Sequence, residues 1–203
     1  MKHGLLLFLF IGFYFSIQAQ TERTNFFYMN NQLNIGNYAG WEIGLNYVQN
    51  QKTSYKLSYT RNSMTARSTP DDFSVGLLGS LTFGAASPWD RFRTYQFAVG
   101  RIIPFNKSGS IRTNFYLGLG YSIIKEPRNW RDEGGSWLVP NYDWDNHKYS
   151  TLSISINPVI EFAFTRSYGL FLSPMLQLSK DRTYVGVGIG HMIGPIRNRI
   201  IKE

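Results

Sequence analysis

Residues 152–164, LSISINPVIEFAF, separate into two sets when every second position is read. One set is almost entirely apolar and comprises Leu152, Ile154, Ile156, Pro158, Ile160, Phe162 and Phe164. The other is largely polar and comprises Ser153, Ser155, Asn157, Val159, Glu161 and Ala163. Because successive side chains of a β-strand point to opposite faces, the pattern predicts a strand with one apolar and one polar face. Such a strand fits a soluble sandwich, and it also fits a barrel that stands in lipid around a polar interior.

Six further segments alternate in the same way, and they cover residues 41–48, 54–60, 95–103, 112–123, 170–178 and 184–193. Most approach the roughly 9 to 11 residues that a tilted strand needs to cross a bilayer. After Tyr14 no apolar run reaches the length of a spanning helix, so any membrane insertion must use strands. The sequence therefore predicts an all-β protein.

The connections between these segments are of two lengths. Short polar links lie at residues 50–52, 106–109, 166–168 and 180–182, and each predicts a hairpin turn of an antiparallel sheet. Two connections are long, at 62–92 and 126–149. Short turns on one rim and long loops on the other are typical of outer-membrane barrels. We therefore expect a single antiparallel transmembrane β-barrel with short periplasmic turns and two long external loops.

Seven strands are one short of the even number that bacterial barrels use. If both long loops face outward, the eighth strand must precede Trp41, and residues 25–35 are available although they alternate poorly. The rival segment, 73–83, is more apolar but would place the first long connection on the periplasmic side. We favour eight strands that include 25–35, with 73–83 folded into an external loop.

The N-terminus predicts export. A basic start is followed by the uncharged run LLLFLFIGFYF (residues 5–15) and a polar stretch in which Ala19 is a cleavage position, the layout of a signal peptide over residues 1–19. Residues 20–203 then form one domain, and the loss of Lys2 lowers the formal net charge from +8 to +7. Export and the dispersed basic residues argue against a nucleic-acid partner, whereas lipid headgroups of the outer membrane fit. The chain has no Cys and hence no disulfide.

Four charged residues fall on the polar faces: Glu42, Lys56, Arg112 and Glu161. Inside a narrow barrel such charges must pair to offset their desolvation. We expect a polar network that plugs the lumen, with room left by Gly118, Gly120, Gly186, Gly188 and Gly190. The alternative is a soluble sheet whose charges face water. Pro158 and Pro174 interrupt strand patterns, so we expect bulges there.

Aromatic residues fall into two groups. Those near strand ends predict girdles at headgroup level, and they are Trp41, Tyr47, Tyr55, Tyr95, Tyr121, Tyr149, Phe164 and Tyr184. Those of the second long connection are Trp130, Trp137, Tyr142 and Trp144. The second group suits contact with an extracellular protein or glycan, or else packs together over the barrel mouth.

The export signal, the alternation and the loop asymmetry resemble the small outer-membrane β-barrel proteins of Gram-negative bacteria. The stretches NIGNYAGWEIGLNY, IKEPRNW and KDRTYVGVGIGHMIG are similar to an uncharacterised group of such barrels from Bacteroidetes. The resemblance covers most of the exported chain and is structural, so it implies no catalytic residue. The C-terminus, a basic tail instead of a strand that closes on an aromatic residue, departs from many such barrels.

The sequence offers little chemistry. His191 lies on the apolar face near a rim and has no neighbouring Ser, so an interfacial residue is favoured over the base of a lipid hydrolase. The segment from Asp143 to His147 offers oxygen ligands for Ca²⁺ from Asp143, Asp145 and Asn146 but does not complete an EF-hand, which favours a solvated loop. We therefore expect no catalytic residue, metal or cofactor.

Three functional hypotheses follow. The first is a monomeric outer-membrane barrel with a plugged lumen and a structural or loop-mediated binding role. The second is a barrel enzyme that modifies lipid. The third is a soluble lipocalin-like barrel, in which the apolar face would point inward. An ion-conducting pore is disfavoured, because about eight strands enclose only side chains.

Overall fold

Eight antiparallel strands form a closed barrel in a computed structural model, which describes residues 25–82, 87–106, 108–134 and 137–196. The strands are β1 (Phe26–Gly36), β2 (Ala39–Gln49), β3 (Thr53–Thr65), β4 (Trp89–Pro104), β5 (Ile111–Asp132), β6 (Tyr142–Phe162), β7 (Tyr168–Ser179) and β8 (Thr183–Ile193). Each strand pairs with the next, and β1 pairs with β8 to close the ring. The predicted eight-stranded antiparallel barrel is thereby confirmed. The predicted signal peptide, residues 1–19, and the basic tail lie outside the described residues.

The eighth strand is the N-terminal one, as expected, and Leu33 and Ile35 lie on its outer face. The rival segment belongs to the connection between β3 and β4, where α1 (Gly76–Leu81) forms a short helix. Among the described residues, no helix is long and apolar enough to span a membrane.

The barrel carries its apolar residues on the outside. Leu117, Ile154 and Val187 are 58%, 57% and 39% exposed, whereas Arg112 and Glu161 are 5% and 2% exposed. A soluble barrel would reverse these two sets, since apolar side chains are stabilised by removal from water. The lipocalin-like hypothesis is therefore wrong.

The connections differ between the two ends of the barrel. Both long connections leave the same end, called here the upper rim, together with the turns at 37–38 and 180–182. The lower rim has the turns at 50–52, 105–110 and 163–167. The second long connection is shorter than expected, because β5 and β6 continue above the barrel as a paired ribbon and leave only residues 133–141 between them.

The bulges expected at Pro158 and Pro174 are not formed. The two prolines stand opposite each other on β6 and β7, and the register of the pairs is the same on both sides of the gap that they leave. One interruption thus accommodates both missing backbone donors. The side-chain amide of Asn157 bridges the gap: its Nδ2 donates to Ser173 Oγ at 2.8 Å and to the carbonyl of Pro174 at 2.7 Å. The described bulge lies instead between Arg128 and Arg131 of the ribbon.

Aromatic rings line the outer wall at two heights. The upper row runs from Trp41 to Tyr59 and Tyr95, with ring centroids 5.5 and 5.0 Å apart, and reaches Tyr121 opposite Tyr95. A lower row joins Phe27, Tyr47 and Tyr55 at 4.6 and 6.1 Å. The girdle prediction is wrong for two residues. Tyr184 is buried inside and Tyr149 packs on the same internal cluster, because both share the inward parity of their strands.

Candidate functional sites: the barrel interior and the outer loops

The structure places all four charged residues predicted for the polar faces inside the barrel and joins them in two ion pairs. Lys56 pairs with Glu42 across β2 and β3, and Arg112 pairs with Glu161 across β5 and β6. Thr60 Oγ1 donates to Glu42 Oε2 at 3.2 Å, and the Tyr28 hydroxyl donates to Glu161 Oε1 at 2.9 Å. Each carboxylate therefore has a cation and a neutral donor, which offsets the cost of burying its charge.

Amide and hydroxyl groups extend the Lys56–Glu42 pair into a longer network, in which Asn30 Nδ2 donates to Glu42 Oε1 at 3.5 Å. Asn46 Nδ2 donates to Asn30 Oδ1 at 2.7 Å, and the Tyr116 hydroxyl donates to Asn46 Oδ1 at 3.0 Å. Asn114 Nδ2 donates to the Tyr116 oxygen at 2.6 Å, and Ser54 Oγ donates to Asn114 Oδ1 at 2.7 Å. A buried chain of this kind holds each side chain in one orientation, because an unpaired polar group in the interior is costly.

A third charged cluster, which the sequence pattern did not predict, lies below the upper rim. Arg182 enters from the β7–β8 turn and forms ion pairs with Glu126 of β5 and, at 3.6 Å, with Asp90 of β4. Arg128 also pairs with Glu126, and the Tyr149 hydroxyl donates to Glu126 Oε2 at 3.4 Å. Asp90, Glu126 and Arg182 all fall in segments that the sequence predicts to be connections. Two of them could have been identified from parity, because Asp90 lies two positions before the buried Phe92 and Glu126 two positions after the buried Ile124.

Apolar clusters occupy both ends of the interior. The upper one is Tyr38, Phe92, Ile124, Met175 and Tyr184. The lower one contains Phe26, Val48, Ile102, Phe171, Met192 and Ile196 among others. Between them, the internal cavity lined by Asn46, Lys56 and Tyr116 has a volume of about 10 Å³. That volume holds at most one water molecule.

The inward glycines make room for neighbouring side chains, but these are uncharged residues and not the four charged residues for which the space was predicted. A Cβ at Gly118 would lie 2.3 Å from Gln96 Nε2, and one at Gly188 would lie 2.6 Å from the Gln32 amide. Cβ atoms at Gly120, Gly186 and Gly190 would meet Ser153, Tyr184 and Phe171 at 2.7, 2.3 and 2.6 Å.

Above the upper rim, three of the four predicted loop aromatics pack together. Trp130 lies 5.2 Å from Trp144 and 6.3 Å from Tyr142, measured between ring centroids. Phe73, from the β3–β4 connection, adds its ring at 5.7 Å from Trp130 and 5.9 Å from Trp144. Trp137 is apart from this group and is 74% exposed. Packing between aromatics therefore accounts for three of these residues, whereas for the exposed Trp137 contact with a partner stays a prediction.

Backbone hydrogen bonds hold the two long connections together. The amides of Leu77 and Leu78 donate to the carbonyls of Trp137 and Leu138 at 2.9 and 3.0 Å. The Asn141 amide donates to the Ser74 carbonyl at 3.2 Å. We call this unit, residues 66–82 with 133–134 and 137–141, the loop layer. Its outer surface exposes a group of apolar side chains, namely Leu77, Leu78, Leu81, Trp137, Leu138 and Val139.

The acidic residues considered as calcium ligands have a basic partner. Arg131 pairs with Asp143 at 2.6 Å and with Asp145 at 3.2 Å across the ribbon. The hydrogen bonds that Arg131 donates to these carboxylates lower the pKa of both. Asp143 and Asp145 lie on a strand and not in a solvated loop. Among the described residues no group of three or more His, Cys, Asp or Glu could hold a metal ion.

His191 lies on the outer face close to the lower rim, where its ring stacks on Tyr168 with centroids 6.1 Å apart. Within the described part of the chain, no hydrogen bond or ion pair joins its imidazole to a hydroxyl or a carboxylate. A nucleophile and an orienting group are thus missing from its described surroundings, although a general base requires both within hydrogen-bond reach.

Comparison with known proteins gives structural neighbours only. No family model matches the chain, and no curated protein matches it in sequence. The crystal structure of Ail, the attachment invasion locus protein of Yersinia pestis, has a TM-score of 0.48 at 12% identity and covers 84% of this chain and 96% of its own. The N-terminal barrel domain of Pseudomonas aeruginosa OprF has a TM-score of 0.47 at 10% identity, covering 86% and 99%.

Neisserial surface protein A has a TM-score of 0.45 at 13% identity, with coverage of 86% of this chain and 99% of its own. Because the identities and TM-scores are this low, the similarity assigns no function to this chain. The resemblance to a Bacteroidetes group stays a prediction.

Proposed function

We propose that the chain is an integral outer-membrane β-barrel protein with a plugged lumen that acts through its loop layer as a surface-binding protein. The observation that carries the proposal is the inverted distribution of side chains, apolar outside and charged inside. A barrel of this kind exposes its apolar wall only in lipid. A single chain closes the ring without a free sheet edge, which supports a monomer.

The outer wall supports the membrane assignment in its details. Apolar side chains between the two aromatic rows include Ile43, Leu45, Leu57, Phe97 and Leu119, all exposed. Trp and Tyr rings prefer the boundary between hydrocarbon and headgroups, because their apolar body and polar tip are both accommodated there. The two rows therefore mark the edges of an apolar belt.

The contents of the interior support a plug. Two ion pairs, the Arg182 cluster and the two apolar clusters occupy successive heights between the rims. An ion that crossed the barrel would have to displace hydrogen-bonded charges at each height. Eight strands leave an interior just wide enough for side chains, so such displacement has no space to occur.

The loop layer supports a binding role. Backbone hydrogen bonds between the two long connections fix the loop layer, and a fixed surface loses less entropy on binding than a mobile loop. The exposed Leu77, Leu78, Leu81 and Trp137 form an apolar group on the loop layer above the upper rim. Clustered apolar side chains on a surface favour protein contact, and we therefore place an extracellular protein ahead of a glycan as the partner.

The orientation can be tested with single cysteines, since the chain has none of its own. Trp137→Cys in the loop layer should react on intact cells with a membrane-impermeant maleimide. Lys52→Cys in a lower-rim turn should react only after the outer membrane is permeabilised. Labelling of both variants in intact cells, or release of the chain without detergent, would contradict the proposal.

The binding role has its own test. A photo-crosslinker is attached to the Leu78→Cys variant on intact cells, which are irradiated in their natural medium. It should give a discrete adduct with one extracellular protein. Lys180→Cys, exposed on the same rim but outside the apolar group, is the matched control. Equal adduct yields at both positions would leave the loop layer without a specific partner and refute this part of the proposal.

A further inference from the structure

Five basic side chains lie side by side on the outer face of the barrel near its upper rim. Arg61 of β3 stands opposite Arg93 of β4. Two residues higher, Arg91 of β4 stands opposite Lys125 of β5, which in turn stands opposite Lys148 of β6. We call these five residues the basic stripe. Its members alternate with buried residues such as Asn62, Phe92 and Ile124, so their side chains face outward.

In the part of the chain that the structure describes, the five cations of the stripe have no acidic partner. Among the described residues, every ion pair involves other side chains, and no hydrogen bond joins any of the five to an acidic group. Three pairs of like-charged residues therefore stand directly opposite each other. In antiparallel sheets the Cβ atoms of such facing residues are roughly 5 Å apart. Like charges in this position repel each other. An anion between them would convert the repulsion into attraction.

The height of the stripe indicates which anion. Arg61 and Arg93 lie two residues above Tyr59 and Tyr95, members of the upper aromatic row. Aromatic rings of this kind lie at the edge of the hydrocarbon, so the next outward-facing residues lie at the level of lipid headgroups. Guanidinium groups bind phosphate through paired hydrogen bonds, and Lys binds it as a point charge.

The stripe is confined to one side and one end of the barrel. It covers β3 to β6, whereas the outward-facing residues near the upper ends of β8 and β1 include Val185 and Ile35. Near the lower rim, Arg101 stands opposite Thr53 and Phe115 instead of a second cation. General attraction to a charged surface would not require this concentration, but a single bound headgroup would.

We propose that the basic stripe is a binding site for the phosphate groups of a phosphorylated glycolipid in the outer leaflet. This inference rests on the proposed function, because the stripe reaches lipid headgroups only if the upper rim faces outward. The glycolipid spans both rows, with one phosphate between Arg61 and Arg93 and a second between Arg91, Lys125 and Lys148.

The test uses the exported chain in zwitterionic micelles, titrated with diphosphorylated lipid A and with the same lipid stripped of phosphate. Native mass spectrometry measures the bound fraction. Arg61→Gln/Arg93→Gln should weaken binding of the phosphorylated lipid about thirtyfold, since each basic side chain at an anionic surface contributes about a fivefold factor. Lys125→Gln/Lys148→Gln, in the other row, should have a similar effect and guards against misfolding of the first variant.

The matched control is Lys52→Gln/Arg101→Gln, which removes two exposed cations at the lower rim. It should bind like the unchanged chain. Equal binding by the stripe variants, equal binding of the dephosphorylated lipid, or displacement by millimolar inorganic phosphate would each overturn the inference. Reconstitution of the same preparation into phosphatidylcholine vesicles distinguishes failure of the lipid site from failure of the proposed function. A chain that inserts but binds both forms of the lipid equally refutes the lipid site alone. A chain that does not insert refutes the membrane assignment.

Discussion

Single residues inside the barrel are fixed by more than one partner. Arg112 reaches Glu161 and also donates from Nη1 to the carbonyl of Ile196 at 2.7 Å, which ties the chain beyond β8 to the lower end of the lumen. Glu161 accepts from Tyr28 as well. Removing one partner from such a pair leaves an uncompensated buried charge, whereas removing both leaves only a change in packing.

Glu161→Gln should therefore destabilise the barrel strongly. The buried guanidinium of Arg112 would keep its charge and lose its counter-ion, at a cost of roughly 3–5 kcal/mol. Urea-induced unfolding from lipid vesicles, followed by tryptophan fluorescence, measures the change in the free energy of unfolding.

Glu133→Gln removes an exposed carboxylate of the loop layer and serves as the control, with an expected change within about 0.5 kcal/mol. The double variant Arg112→Met/Glu161→Gln should be more stable than Glu161→Gln alone. A cost for Glu161→Gln no larger than that of the control would show that the ion pair does not stabilise the fold.

At the scale of elements, the loop layer depends on a close approach of two backbones at Gly76. This residue has φ of 65°, and a Cβ there would lie 2.6–2.7 Å from backbone atoms of Leu138 and Val139. Both features require glycine, since other residues rarely adopt this conformation and any side chain would separate the two segments.

Gly76→Ala should therefore open the loop layer while the barrel stays folded. Gly109→Ala is a closely matched control, because Gly109 has φ of 63° but no atom within 4 Å of its added Cβ. Trypsin cleavage at Arg67 in the folded protein should accelerate for Gly76→Ala and remain nearly unchanged for Gly109→Ala. Equal rates would mean that the close approach of the two backbones at Gly76 does not hold the loop layer closed.

The ribbon above the barrel should respond to acid. Arg131 lowers the pKa of Asp143 and Asp145 below their ordinary value of 3.8. A lowered pKa in the folded state means that the ion pairs stabilise the ribbon above pH 3.8, and that this stabilisation is lost as the pH falls through the lowered values. The groups are exposed, so the effect is small and weakens with salt.

The measurement is the titration of the two carboxyl groups by carbon NMR. Arg131→Gln should raise both pKa values toward 3.8, while Lys180→Gln on the same rim should leave them unchanged. Identical titration curves in the Arg131→Gln and unchanged proteins would contradict the assignment of Arg131 as the cause.

For the whole molecule, the alternation of residues determines most of what the sequence could predict. Within the apolar belt, lipid outside and side chains inside impose different chemistry on successive positions, so parity alone assigns Leu117 outward and Arg112 inward. Pairing is harder to predict. Glu42 faces Thr60 and not Lys56 in the register, and the ion pair forms only because the long Lys side chain reaches along the strands.

The features that the sequence does not predict lie where the contrast between lipid outside and packed side chains inside ends. Above the belt no lipid contacts the outer face, so β5 and β6 continue without alternation and resemble a loop in sequence. The Arg182 cluster lies at this boundary. The inward parity of Asp90 and Glu126 continues, but their outward-facing neighbours Arg91 and Lys125 are charged, so no apolar face marks a strand there. Tyr184 was misplaced because its position near a strand end outweighed its parity.

The internal packing of the whole barrel leads to a final prediction: the chain should not conduct ions. Arg182 and its acidic partners, the Lys56–Glu42 pair and the Arg112–Glu161 pair occupy three heights of the interior, and the cavity beside Lys56 and Tyr116 has a volume of only about 10 Å³. In planar bilayers the protein should give no discrete conductance steps above the lipid background, while a sixteen-stranded porin in the same membrane gives them. Slower electrophoretic migration after heating verifies beforehand that the chain is folded. Reproducible steps from the folded chain would mean that the charged clusters part to admit ions, and the lumen would then have to be regarded as a gated channel.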